Sequence, residues 1–149
     1  MSQYPESVMV ALFPTTGYWT ELELPHLTLV YAGETTNLSF TDHNELAKVA
    51  LDLSLRFPPQ ILTVADLEVF GEPPSEVDVF SVIPSEDVLN MRDELEIWDE
   101  GKYPFNPHVT IGPKGSFKGL RPKTLTFPTI AVCWGDNRTV YAFSGQEPQ

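Results

Sequence analysis

The apolar runs of this chain follow one another at short intervals, and that spacing restricts how its strands can pair. Residues 8–13 (VMVALF) form an apolar run closed by Pro14 and read as a buried strand. A second strand spans residues 26–31 and stops at Ala32-Gly33. Residues 42–57 switch to helical spacing, with Leu46, Val49, Leu53 and Phe57 on one face. Asp42 and Glu45 have capping-box spacing with Asp42 as the cap, and Pro58-Pro59 ends the helix. Strand signals return at residues 61–70, where Ile61, Thr63, Ala65, Leu67 and Val69 are expected to face inward, and at 77–83. Ser85 is placed to cap a second helix whose face carries Val88, Met91, Leu95 and Trp98, with Gly101 as its end. Strands follow at 108–111, 124–134 and 139–143. Most connections are too short for parallel crossovers, so the expected class is α+β with mainly antiparallel sheets and two main helices. The 14 prolines, spread through the turns, agree with many short elements.

A length of 149 residues suits one domain spanning 1–149, with one substantial core. No run of 18 apolar residues is present, and the opening residues lack a secretory pattern. Cys133 is the single cysteine, so a reducing, cytoplasmic setting fits best. Its apolar flanks mark a structural thiol. Nine basic against 21 acidic residues give a formal charge of −12. Affinity for long nucleic acids comes mainly from a basic surface that releases counterions, so a long RNA or DNA partner and an anionic membrane are both disfavoured. A short anionic substrate remains compatible, because a few donors suffice to hold one phosphate. Protein partners are not specified by the sequence.

One short pattern occurs twice. Pro25-His26-Leu27-Thr28-Leu29 and Pro107-His108-Val109-Thr110-Ile111 share the form Pro-His-apolar-Thr-apolar, and they use two of the three histidines. Side chains at i and i+2 of a strand share a face, so each motif presents an imidazole beside a hydroxyl while its apolar residues anchor the other face. Two such faces across one cleft would cleave a phosphodiester. A neutral imidazole takes a proton from water or a ribose hydroxyl, a protonated one gives a proton to the departing oxygen, and the Thr hydroxyls hold phosphate oxygens. One His-x-Thr alone is ordinarily a structural histidine; two copies with matching flanks reverse that balance. His43 is expected to be solvated. A zinc site lacks the third ligand usually found nearby, and no metal or other cofactor is expected.

These motifs carry a family resemblance. VMVALFP, HLTLVYAG and FNPHVTIG occur in the order and at separations that resemble the 2H phosphoesterases (LigT-like and cyclic phosphodiesterase-like proteins), and the resemblance covers nearly the whole chain. It implies a two-lobed fold around a central cleft, with His26, Thr28, His108 and Thr110 as the catalytic set and a metal-independent reaction. Members of the family open 2′,3′-cyclic phosphates, trim RNA ends, or cut 2′,5′-linked and cyclic oligonucleotides. Bacterial RNA-processing members often place an Arg soon after the second motif, where this chain has Gly112-Pro113-Lys114. Lys114 is the candidate for that charge, as a point charge without a fork. With Lys118 and Arg121 it forms the notable basic cluster. Tyr18, Trp19, Tyr103 and Phe105 are candidates for stacking on a base, a contact worth ~1–3 kcal/mol. The reading is a phosphodiesterase of small nucleotides or short oligonucleotides. Its rivals are a non-catalytic nucleotide-binding or accessory protein on the same fold and a plain interaction module with structural histidines.

Overall fold

A computed structural model describes residues 6–101 and 104–145 of the chain. Among the described residues, eight strands form two antiparallel four-stranded sheets accompanied by two α-helices, which establishes the α+β class. The elements are β1 (Ser7–Phe13), β2 (Leu27–Glu34), α1 (Phe40–Arg56), β3 (Gln60–Phe70), β4 (Val77–Ile83), α2 (Glu86–Leu95), β5 (His108–Pro113), β6 (Thr124–Phe127), β7 (Thr129–Trp134) and β8 (Asn137–Ala142). The first sheet runs β2-β1-β7-β8 and the second β5-β4-β3-β6. The two strands that carry the repeated motif, β2 and β5, are therefore both edge strands. They touch each other without joining one ladder.

The expected strand at 124–134 is two strands in different sheets. Pro128 interrupts the run because it has no N–H to continue a ladder, and the chain passes there from the second sheet to the first. The inward face of β3 is also one residue out of step with expectation. Leu62 and Val64 are buried, whereas Ile61 is 64% exposed and Leu67 and Val69 are also exposed. Both faces of β3 carry apolar residues, so alternation alone could not choose between them. Beyond Val64 a bulge against β4 shifts the register, and this part of the strand projects past the core.

Helix α1 starts two residues earlier than expected. Ser39 is its cap, accepting from the Asp42 N–H at 3.1 Å while Asp42 accepts from the Ser39 N–H at 2.8 Å. The capping box is thus Ser39/Asp42, not Asp42/Glu45. Leu46, Ala50 and Leu53 turn into a core that also takes Val10 and Ile130 from the first sheet, Leu62 and Phe80 from the second, and Val88, Met91 and Leu95 from α2. His43 is half-buried rather than solvated, edge-on to Trp134 at 5.0 Å. Among the described residues no helix is long and apolar enough to cross a membrane.

The second helix is tied to the second sheet through a polar link. The Ser85 hydroxyl accepts from the Val88 N–H at 3.0 Å and donates to Gln60 Oε1 at 2.7 Å. Gln60 is 4% exposed and also donates to Pro58 O at 2.8 Å. Replacing Ser85 with Ala removes a helix cap and strands a buried amide oxygen, which should cost ~2 kcal/mol in urea unfolding. Ser39→Ala removes only an exposed cap and should cost ~1 kcal/mol or less. Equal losses in the two variants would show that the Gln60 link adds nothing. On the other face of the first sheet, Cys133 lies with Met9 and Ala131, and burial pushes its thiol up to about 11. The native protein should resist iodoacetamide at about pH 8 and react once unfolded, as read by mass spectrometry, because only the thiolate attacks.

Candidate active site

Each motif is shaped by the same three devices. The first is strand alternation. Leu27, Leu29, Val109 and Ile111 are buried at 0–2% exposure, while His26, Thr28, His108 and Thr110 are half-exposed on the opposite faces. The second is a proline immediately before each histidine. Proline restricts the preceding residue to extended backbone. In both motifs the carbonyl of that residue meets the imidazole two positions on: His26 Nδ1 lies 3.2 Å from Leu24 O, and His108 Nδ1 lies 2.6 Å from Asn106 O. A carbonyl only accepts, so Nδ1 carries the proton in both rings. In the neutral form the lone pair then sits on Nε2.

The third device is a bulge. Val10 pairs with Val30 and Ala11 with Thr28, so Leu29 is an extra residue in β2. Asp78 pairs with Gly112 and Val79 with Thr110, so Ile111 is an extra residue in β5. The chain bends at the residue after each motif Thr, a device that re-aims side chains beside functional sites. The bulge in β5 is held from outside: Ile111 O accepts from Thr20 Oγ1 at 3.2 Å and from the Glu21 N–H at 3.2 Å.

The four motif side chains meet in one cleft. His26, Thr28, His108 and Thr110 all line a cavity of about 600 Å³ between the sheets. Thr28 Oγ1 stands 3.6 Å from Met9 Sδ, and Phe70 packs against the His108 ring at 4.7 Å between centroids. Burial holds the His26 pKa below the ordinary imidazole value of 6.5, the Leu24 carbonyl opposes this, and the nearby charge of His108 adds to the lowering. Past His26 the cleft continues into a trough of about 760 Å³, with Glu21, Glu23, Asp136 and Arg138 on its walls.

The remaining expected site residues divide. Phe105 lines the cleft. Tyr103 lies outside the described residues. Tyr18 and Trp19 border a separate pocket of about 220 Å³ beside Lys118. Tyr18 donates to Leu120 O at 2.7 Å, and Trp19 is buried against Phe80, so Trp19 serves as core packing. Lys114 is exposed, reaches Glu76 at 3.4 Å and is absent from the cleft wall; the tight turn after β5 carries it away. Arg121 is engaged by Asp66 at 2.8 Å.

The cleft also contains a cation that belongs to neither motif. Arg92, on α2, lines it together with Asp99. Its Nη2 donates to Asp99, whose carboxyl is held below the usual range by that guanidinium first and by the Gly101 N–H at 2.8 Å. Arg92 Nη1 is buried and has no hydrogen-bond partner among the described residues. Such an unmet donor ordinarily costs ~1–3 kcal/mol. The sequence did hold a signal: Arg92 occupies the position between Met91 and Leu95 where helical spacing from Val88 calls for an apolar residue. Among the described residues no three His, Cys, Asp or Glu side chains stand together as a metal site.

Comparison with known proteins bears on the family and the fold. Residues 17–121 match the family model of the 2′-5′ RNA ligase superfamily. No curated protein matches the chain significantly. Among solved structures, Escherichia coli LigT complexed with NADP+ is 17% identical with a TM-score of 0.58, over 94% of this chain and 96% of that one. TT0787 of Thermus thermophilus is 15% identical with a TM-score of 0.60, over 95% of this chain and 100% of that one. LigT complexed with 3′-AMP superposes with a TM-score of 0.58 at 17% identity, over 94% and 96% of the two chains. The fold and the family model together make this chain a member of the 2′-5′ RNA ligase superfamily, the LigT-like 2H phosphoesterases.

Proposed function

We propose that this chain is a metal-independent phosphodiesterase acting on a small nucleotide or a short oligonucleotide that is cyclic, 2′,5′-linked or ended by a 2′,3′-cyclic phosphate. The observation that carries this reading is the convergence of two imidazoles and two hydroxyls in one cleft, with both rings fixed at Nδ1. The formal charge of −12 favours a short ligand over long nucleic acid, and the single buried thiol suits a cytoplasmic protein. LigT, similar in fold, is complexed with NADP+ and with 3′-AMP in its structures, which supports a nucleotide as the ligand class here.

In this reading His26 is the base. Burial and the charge of His108 keep it neutral at lower pH than an ordinary imidazole, and Nε2 holds the lone pair. His26 takes a proton from water as the water oxygen bonds to phosphorus. His108 gives its proton to the ribose oxygen as the bond from phosphorus to that oxygen breaks. Thr28 and Thr110 donate to the non-bridging oxygens as charge accumulates on them.

His26→Ala and His108→Ala should each lower kcat by roughly two to four orders of magnitude on a panel of 2′,3′-cyclic nucleotides and 2′,5′-linked or cyclic oligonucleotides. Turnover should persist in EDTA. Wild-type rates in His108→Ala would refute the acid role, and tight binding with every ligand recovered intact would favour a sequestering protein instead. The profile of kcat/KM against pH should be bell-shaped. Since the base must be neutral and its pKa lies below 6.5, the acid limb should fall below that value. An acid limb centred above 6.5 would contradict the assignment of His26 as base.

A further inference from the structure

Arg92 is the only Lys or Arg among the described residues that line the cleft with the two histidines. Its guanidinium is fixed on two sides by the protein itself. Nη2 donates to Asp99, which the Gly101 N–H anchors in turn, and the planar group lies 5.3 Å from the centre of the Phe105 ring. Phe105 belongs to the segment that delivers His108, so the cation and the second motif share a support. Nη1 remains buried without a protein acceptor among the described residues. A fork held by a carboxylate and an aromatic face, with one donor unused, matches the way guanidinium groups receive a phosphate oxygen.

We propose that Arg92 is a substrate-binding residue whose Nη1 donates to a phosphate oxygen of the ligand in this cleft, with Asp99 and Phe105 as positioning residues. The inference rests on the phosphodiesterase reading for the identity of the ligand. It places on α2 the positive charge that the sequence suggested at Lys114. The oxygen belongs either to the scissile phosphate or to a neighbouring one, and the two are separable by experiment.

Inorganic phosphate is titrated into the wild-type chain and into Arg92→Met, Arg92→Lys and Asp99→Asn by NMR, with melting temperatures recorded for each. Arg92→Met should weaken phosphate binding about ten-fold or more. Arg92→Lys should recover part of that loss and guards against a variant that does not fold. Asp99→Asn keeps an acceptor for Nη2 but removes the counter-charge that fixes the fork, and should weaken phosphate binding clearly less than Arg92→Met does. Turnover of a 2′,3′-cyclic mononucleotide, with and without a 5′-phosphate, is followed in parallel. The Arg92→Met defect should appear mainly in KM. An equal penalty on both substrates assigns Nη1 to the scissile phosphate, and a penalty confined to the 5′-phosphorylated one assigns it to the neighbour. Wild-type phosphate affinity in Arg92→Met overturns the proposal. So do equal losses in Arg92→Met and Asp99→Asn, the mark of an ion pair that only supports the fold. A wild-type chain that turns over neither these substrates nor any 2′,5′-linked or cyclic oligonucleotide of the panel refutes the enzymatic reading instead, while the phosphate titration still decides the role of Arg92.

Discussion

The site depends on two edge strands that face one another and do not pair. An exposed strand edge presents unmet N–H and C=O groups and invites another strand. Here β2 and β5 come into contact at the cleft, yet each belongs to its own sheet. Bulges at Leu29 and Ile111 interrupt the regular pleat just past each motif. A bulged strand twists more strongly and its ladder groups lose their even spacing, which works against closure of the gap into one continuous sheet. The gap is therefore kept by backbone geometry, and the motif side chains occupy it.

Much of this was legible in the amino-acid sequence, for a definable reason. Alternation and the flanking prolines are local properties, so the pairing of His26 with Thr28 and of His108 with Thr110 could be read from spacing alone. The bulges were not legible, because an extra residue is defined only against a partner strand far away in the chain. The same limit explains β3, where apolar residues on both faces left the choice of inward face to tertiary contacts. It also explains the run at 124–134, whose apolar character is continuous although its halves serve different sheets. The loop position of Trp19 suggests a ring near a ligand, and its burial against Phe80 makes it core packing instead.

Charge shows a related division between local and long-range information. Lys114 follows the second motif in sequence, but the turn after β5 directs it to Glu76. Arg92 stands 16 residues before His108 in the numbering and reaches the cleft through the packing of α2 along β2. A charged residue inside an apolar helical stripe is the clue that a sequence offers for such a group. The cleft is thus polar at two levels: imidazoles and hydroxyls from the sheet edges, and a guanidinium from the covering helix.

Pro128 is the sole residue between β6, in the sheet that carries His108, and β7, in the sheet that carries His26. Its carbonyl accepts from the Phe143 N–H at 3.0 Å, so even this joint is strapped to the chain that follows β8. A link of one residue keeps the adjoining ends of β6 and β7, and so this corner of the two sheets, close together. The relative placement of the two imidazoles thus rests on a single peptide joint together with the core shared by the two sheets.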